Sequence, residues 1–156
     1  MPEKETLKRA AADKRQGKAA STQAGEFVRE EMDHIREGKH GARSAKQAIA
    51  IGLSKARRAG VDLPPPKKGT TSEDTRRRAV RDSAAGHDGS HKVSATRSRA
   101  TKKALKREGK AAASPLALSR HAHAVARTRT AADRSASAKK AAQTRARNKA
   151  NRTRSA

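Results

Sequence analysis

The sequence has no cysteine, no tryptophan and no tyrosine, and its 156 residues include one aromatic side chain, Phe27. The missing cysteine excludes a disulfide scaffold, a thiolate zinc site, a c-type haem and a thiol nucleophile. Bulky apolar residues are scarce as well. Of a hydrophobic fraction of 33%, 34 residues are alanine, and Leu, Ile, Val and Phe together supply 15. The length allows one ordinary domain, but the side chains that would fill its core are missing. Acidic residues are few, 15 against 39 Lys and Arg, for a formal net charge of +24. Low hydrophobicity with high net charge is the composition of chains that stay disordered until something neutralises them. The expected class is therefore mostly α with extensive disorder. No apolar run approaches a membrane span or a signal h-region, which points to the cytosol.

What is abundant is positive charge, and the partner that fits it is a polyanion. A chain repelling itself loses that penalty against phosphates, and each neutralised phosphate releases condensed counterions. An anionic lipid surface fits least, because an interfacial helix needs Leu, Phe or Trp on its buried side, where these basic segments carry Ala.

The charge is unevenly placed. Residues 1–60 hold 14 basic and 8 acidic side chains, a net of +6, whereas residues 61–156 hold 25 and 7, a net of +18. The larger apolar residues are biased the other way, towards 21–63. Four segments follow: a basic N-terminal helix (1–20), a small helical hairpin (21–63), a Pro/Lys/Gly linker (64–72) built on Pro64-Pro65-Pro66, and a Lys/Arg/Ala-rich basic tail (73–156). Consecutive prolines cannot continue a helix and favour an extended segment.

Punctuation supports this division. Pro2, Glu3 and Glu5 suit a helix start that runs to Gly17. Ser21 or Thr22 suits the cap of a second helix to about Glu37, with Gly38 beyond its end. On that helix Phe27, Val28, Met32 and Ile35 form an apolar stripe. Ser44 and Gln47 make a capping box for a third helix stopped at Gly60, whose narrow face carries Ala48, Ile49, Gly52, Leu53 and Ala56. The hairpin core is expected to be Phe27, Val28, Met32, Ile35, Ile49 and Leu53, small enough to be marginal alone and to invite self-association or a protein partner. Four further helices are expected in the tail: 72–85 stopped at Gly86, 94–108, one from Ser114-Pro115, and 133–150. Like charges such as Lys102, Lys106 and Lys110 oppose their formation by a few tenths of a kcal/mol per pair, about 0.2–0.5, so this helicity is expected to be conditional on phosphate. A joint of helix, Gly, Lys and small residues recurs at Lys14–Ala20 and Lys106–Ala112, with a shorter copy at Arg36–Lys39.

The stretch Glu26–Gly60, EFVREEMDHIREGKHGARSAKQAIAIGLSKARRAG, resembles a family of small bacterial proteins with an uncharacterised domain, marked by the KQAIAIGLSKARRAG segment and often labelled plasmid stabilisation proteins. The resemblance implies a bacterial or phage-related protein and carries over no catalytic residues. The Ala/Lys/Arg tail separately resembles histone H1-like proteins in composition.

Duplex DNA is favoured over RNA because readers of single strands stack bases on aromatic side chains, and Phe27 belongs to the apolar stripe. The expected function is non-enzymatic, mainly non-specific binding of double-stranded DNA at the bacterial nucleoid or a plasmid. The expected phosphate contacts are Arg43, Lys46, Lys55, Arg57 and Arg58 of the hairpin; Arg76, Arg77 and Arg78; Lys102, Lys103, Lys106, Arg107 and Lys110; and Lys139, Lys140, Arg145 and Arg147. RNA or ribosome association, and a protein adaptor built on the hairpin, are the alternatives. No cofactor and no metal is expected: His87 with His91 and Asp88, and His121 with His123, lie in segments too loose for a strong site. The acidic cluster Glu26, Glu30, Glu31, Asp33 and Glu37 reads as a solvated face or, more sharply, as a mask for the basic tail.

Overall fold

A computed structural model describes residues 2–88 and 94–154, and among these the secondary structure is entirely helical. Seven α-helices follow in order: α1 (Lys4–Arg15), α2 (Ala20–Glu37), α3 (Ala45–Arg58), α4 (Glu73–Asp88), α5 (Ala95–Lys106), α6 (Pro115–Thr128) and α7 (Ala131–Arg154), with a 3-10 turn at Ala111–Ala113 between α5 and α6. The mostly helical class stands. The extensive disorder expected from composition does not, because helix covers most of the described tail. Alanine's helix propensity and a hydroxyl cap at the start of each tail helix account for the difference.

Those caps are explicit. Ser44 Oγ accepts from the Gln47 N–H, and Gln47 Oε1 reaches back to the Arg43 N–H at 2.8 Å, one residue earlier than in a standard capping box. Ser72, Ser94, Ser114 and Thr130 each accept a backbone N–H three residues on. Ser21 and Thr22 do not act in this way. α2 starts at Ala20, its N-cap is Ala19, and no side chain caps it. The C-terminus of α2 closes at Gly38, in the left-handed region at φ 82°, with the Lys39 N–H on the His34 carbonyl. Of the recurring Gly joints, Gly17 and Gly38 have positive φ and Gly109 does not.

Two compact units are present, Met1–Leu118 and Ser119–Ala156. In the first, α2 packs against both α1 and α3, and α4 packs on α3. Its interior is two small clusters. Phe27, Ala10, Ala24, Ala56 and Val61 form one, flanked by Leu53 and Leu63. Met32, Ile35, Ala42, Ala48, Ala112 and Ala113 form the other, flanked by Val28, Ile49 and Leu118. Alanine takes most of these positions, so helices come together by close backbone approach instead of by bulk. Gly52 shows the device: a Cβ there would lie 2.7 Å from the Val28 Cα.

The proline segment does not end this unit. Asp82 of α4 accepts from Ser54 Oγ at 2.6 Å and from Arg58 Nε at 2.7 Å. Gly86, expected as a helix stop, instead lies inside α4 against α3, where a Cβ would stand 2.0 Å from the Arg57 carbonyl oxygen. Farther along, the Gly41 and Ala42 N–H groups donate to the Leu105 and Gly109 carbonyls at 2.9 and 3.2 Å. Ala112 and Ala113 are buried, and Arg36 Nε donates to the Ala113 carbonyl. The stretch from Leu105 to Ala113 is thus part of the compact unit. Its backbone carbonyls, invisible to a composition argument, are what dock it. In the second unit the described side chains are exposed apart from the half-buried His121 and Ala141.

Candidate nucleic-acid interface

The cations divide by what they touch. On α1–α3 they are largely engaged. Arg9 meets Glu26 at 2.6 Å, Lys18 meets Asp13 at 2.6 Å, and Lys39 lies within 3.1 Å of both Glu3 and Glu37. Lys55, expected to face phosphate, turns inward. Its Nζ is 3.1 Å from Glu30 Oε1 and 2.7 Å from Glu31 Oε2, and both carboxylates are buried. Burial alone would lower the ammonium's pKa, but the Glu31 and Glu30 carboxylates outweigh it and hold it raised. Burial likewise opposes ionisation of Glu30, yet the Thr6 hydroxyl, the Glu3 backbone N–H and Lys55 keep its pKa lowered.

Arg57 is buried as well, donating to the Leu63 and Pro64 carbonyls and so tying the start of the proline segment to α3. Burial lowers its pKa against the opposing pull of Asp82. Lys55 and Arg57, expected to contact phosphate, instead turn to acceptors within the fold. Arg58 is exposed but held by Asp82. Arg43 is exposed, 3.8 Å from Glu108, and Lys46 is exposed. The acidic cluster of α2 is used within α1–α3 and its turns, so the described ion pairs do not include a mask over the tail. Glu26, Glu30 and Glu31 pair as above, Asp33 meets Arg29 and Arg36, and Glu37 meets Lys39.

On α4, Arg76 and Arg78 pair along the helix with Glu73 and Asp74, and Arg77 is exposed. α5 differs. Arg99, Lys102, Lys103 and Lys106 recur at i, i+3, i+4 and i+7, so they share one face, while Ser98 and Leu105 mark another that is half-buried. Arg107 and Lys110 are exposed just beyond the helix. None of Lys102, Lys103, Lys106, Arg107 and Lys110 has a carboxylate partner among the described residues. On α7, Lys139, Lys140, Arg145 and Arg147 are exposed and equally without one. Lys140 and Arg147 lie seven residues apart, two turns along one side. With 24 residues α7 extends roughly 36 Å, about one turn of a B-form duplex.

Of the histidines considered from sequence, His91 lies outside the described residues. His87 Nδ1 donates to the Ser83 carbonyl at 2.7 Å and its Nε2 to Asp62 Oδ1 at 2.9 Å, and these contacts raise its pKa. His121 and His123 stand on α6. A different group, Glu31, His34 and His40, does converge. Its sequence signal is Glu-x-x-His followed by a second His after the Gly38 turn.

Residues 13–68 match the model of a family of unknown function, DUF6496. The match starts in α1, includes α2 and α3, and stops before α4, so it contains the KQAIAIGLSKARRAG segment and none of the α5 or α7 cations. No curated protein and no solved structure matches the chain. No helix of the described residues is long and apolar enough to cross a membrane.

Proposed function

We propose that the protein binds double-stranded DNA without catalysis, chiefly by phosphate neutralisation and with little base readout. The observation that carries this reading is the face of α5, where Arg99, Lys102, Lys103 and Lys106 lie together, exposed and uncompensated. Exposed cations of one sign repel one another, and that cost is relieved when phosphates replace condensed counterions along a duplex. The α7 cations add a second basic surface of duplex-turn length. Phe27, the one Phe, Tyr or Trp of the sequence, is buried and offers no stacking platform for single strands. The α1–α4 assembly serves as the folded element that carries the basic helices, and a nucleoid or plasmid setting is consistent with such a protein.

Affinity for a duplex of random sequence, measured across salt concentrations on the full chain, tests the reading. A log–log slope of several units is expected, since each phosphate contact contributes about 0.9. A slope near zero, or preference for structured RNA in direct competition, overturns it.

A further inference from the structure

Glu31, His34 and His40 meet at a place remote in purpose from the exposed cations. Glu31 and His34 are three residues apart on α2, on one face, and the left-handed turn at Gly38 brings His40 back beside them. A carboxylate oxygen of Glu31 and one ring nitrogen of each histidine lie within 4.8 Å of one another. The two imidazoles stand edge to face, centroids 6.0 Å apart. Glu31 is fully buried, and the histidine side chains are only 13% and 17% exposed.

Each ring also has one nitrogen already held. His34 Nε2 is 2.8 Å from Glu3 Oε1, and His40 Nδ1 is 3.1 Å from the Gly41 carbonyl. An oxygen acceptor fixes the N–H on that nitrogen and leaves the lone pair on the other, which is how metal-bound histidines are oriented. For His40 the remaining nitrogen, Nε2, faces Glu31 Oε1 at 3.2 Å. A lone pair against a carboxylate oxygen is repulsive unless a proton or a metal ion lies between them, and only a metal ion would engage His34 as well. Neither Glu31 oxygen has a hydrogen bond of good geometry, although Lys55 Nζ stands 2.7 Å from Oε2. Glu30 and Glu31, both buried, share that one ammonium, so the pocket is short of positive charge.

We propose that Glu31, His34 and His40 bind a divalent first-row transition-metal ion, with Zn2+ the best match. Two imidazoles, one carboxylate and a water in the fourth position make a familiar zinc set. Ligand bonds of about 2.0–2.2 Å require the donors to draw in slightly, a movement within reach of the two histidine side chains. The ion would fasten the turn after α2 to the helix itself. That turn supplies the Gly41 and Ala42 N–H groups that hold the Leu105 and Gly109 carbonyls, so occupancy would also steady the docking of residues 105–113.

The test is Zn2+ titration of the chelator-stripped full chain by calorimetry, with Co2+ absorption as a second readout. One tight equivalent is expected, with the intense visible bands of four-coordinate Co2+. H34Q and H40Q should each weaken Zn2+ binding by at least about tenfold, with helix content unchanged by circular dichroism, while H121Q/H123Q leaves it intact. The proposal fails if H34Q/H40Q binds as well as the unsubstituted chain, or if the tight equivalent disappears with H121Q/H123Q. Should H34Q/H40Q unfold, the Co2+ spectrum of the unsubstituted chain decides: weak six-coordinate bands overturn the site. None of these outcomes depends on DNA binding.

Discussion

Residues 20–58 and residues 95–154 are both helical and both rich in Lys and Arg, but they place those side chains differently. In the first stretch acidic residues are interspersed with basic ones, and although Lys46 is exposed, most cations are held: Lys55 by Glu30 and Glu31, Arg57 by two carbonyls, Arg58 by Asp82. In the second, Glu108 and Asp133 are the only acidic residues in the sequence, and cations such as Lys102 and Lys140 face water. The same side chains thus do two jobs. Where a carboxylate or carbonyl is near, a cation helps specify the fold. Where none is, it remains available to an external anion.

Substitutions can break this contrast at several strengths. The largest effect is expected from Phe27→Ala, which empties the centre of one cluster and should cost about 3–5 kcal/mol in thermal or denaturant unfolding. The matching change in the second region, Leu116→Ala on an exposed side chain, should stay within about 0.5 kcal/mol. Lys55→Met comes next. It leaves two buried carboxylates sharing no cation and should cost about 3 kcal/mol, whereas Lys140→Met should leave the unfolding midpoint in place. For duplex binding the order reverses. Replacing Lys102, Lys103 and Lys106 together by Gln should reduce the salt slope by about 2.7, if each contacts one phosphate. Replacing Arg9, Lys18 and Lys39 should change it little. Equal slopes from both triple variants would erase the distinction between the regions.

The smallest expected effect concerns His87. The Ser83 carbonyl and Asp62 favour its charged form, raising its pKa in the folded chain. Its contribution to stability is therefore complete below the ordinary histidine range and is lost as pH rises through the raised value. In an NMR titration Asp62→Asn should move the His87 midpoint down towards the usual range. An unmoved midpoint would dissociate α4 from the segment that follows α3.

Much of the helix pattern was legible because caps are local. Ser44, Ser72, Ser94 and Ser114 each announced a start that the backbone uses, and Gly38 and Gly60 each marked an end. Packing was less legible, for a physical reason. A core made of Ala45, Ala48, Ala56, Ala112 and Ala113 leaves no trace in a count of bulky residues, since it is built on how closely backbones approach. Gly86 read as a stop because glycine is a poor helix former, yet here its missing Cβ admits the Arg57 carbonyl. The docking of residues 105–113 rests on main-chain hydrogen bonds that any sequence could offer. The Glu31, His34 and His40 group is not evident from sequence because its members are separated by a turn, and a lone histidine on an amphipathic, charge-rich helix says little until the turn's direction is known.

The nearly complete exposure of α7 carries a last consequence. A helix whose described side chains almost all face solvent imposes scarcely any steric requirement on its own sequence, so exchange of Lys for Arg, or loss of a turn, would leave the α1–α4 assembly undisturbed. Among related chains this segment is then free to drift in length and order while keeping its basic character. Gly52 and Gly86, each pressed against a neighbouring backbone, have no such freedom.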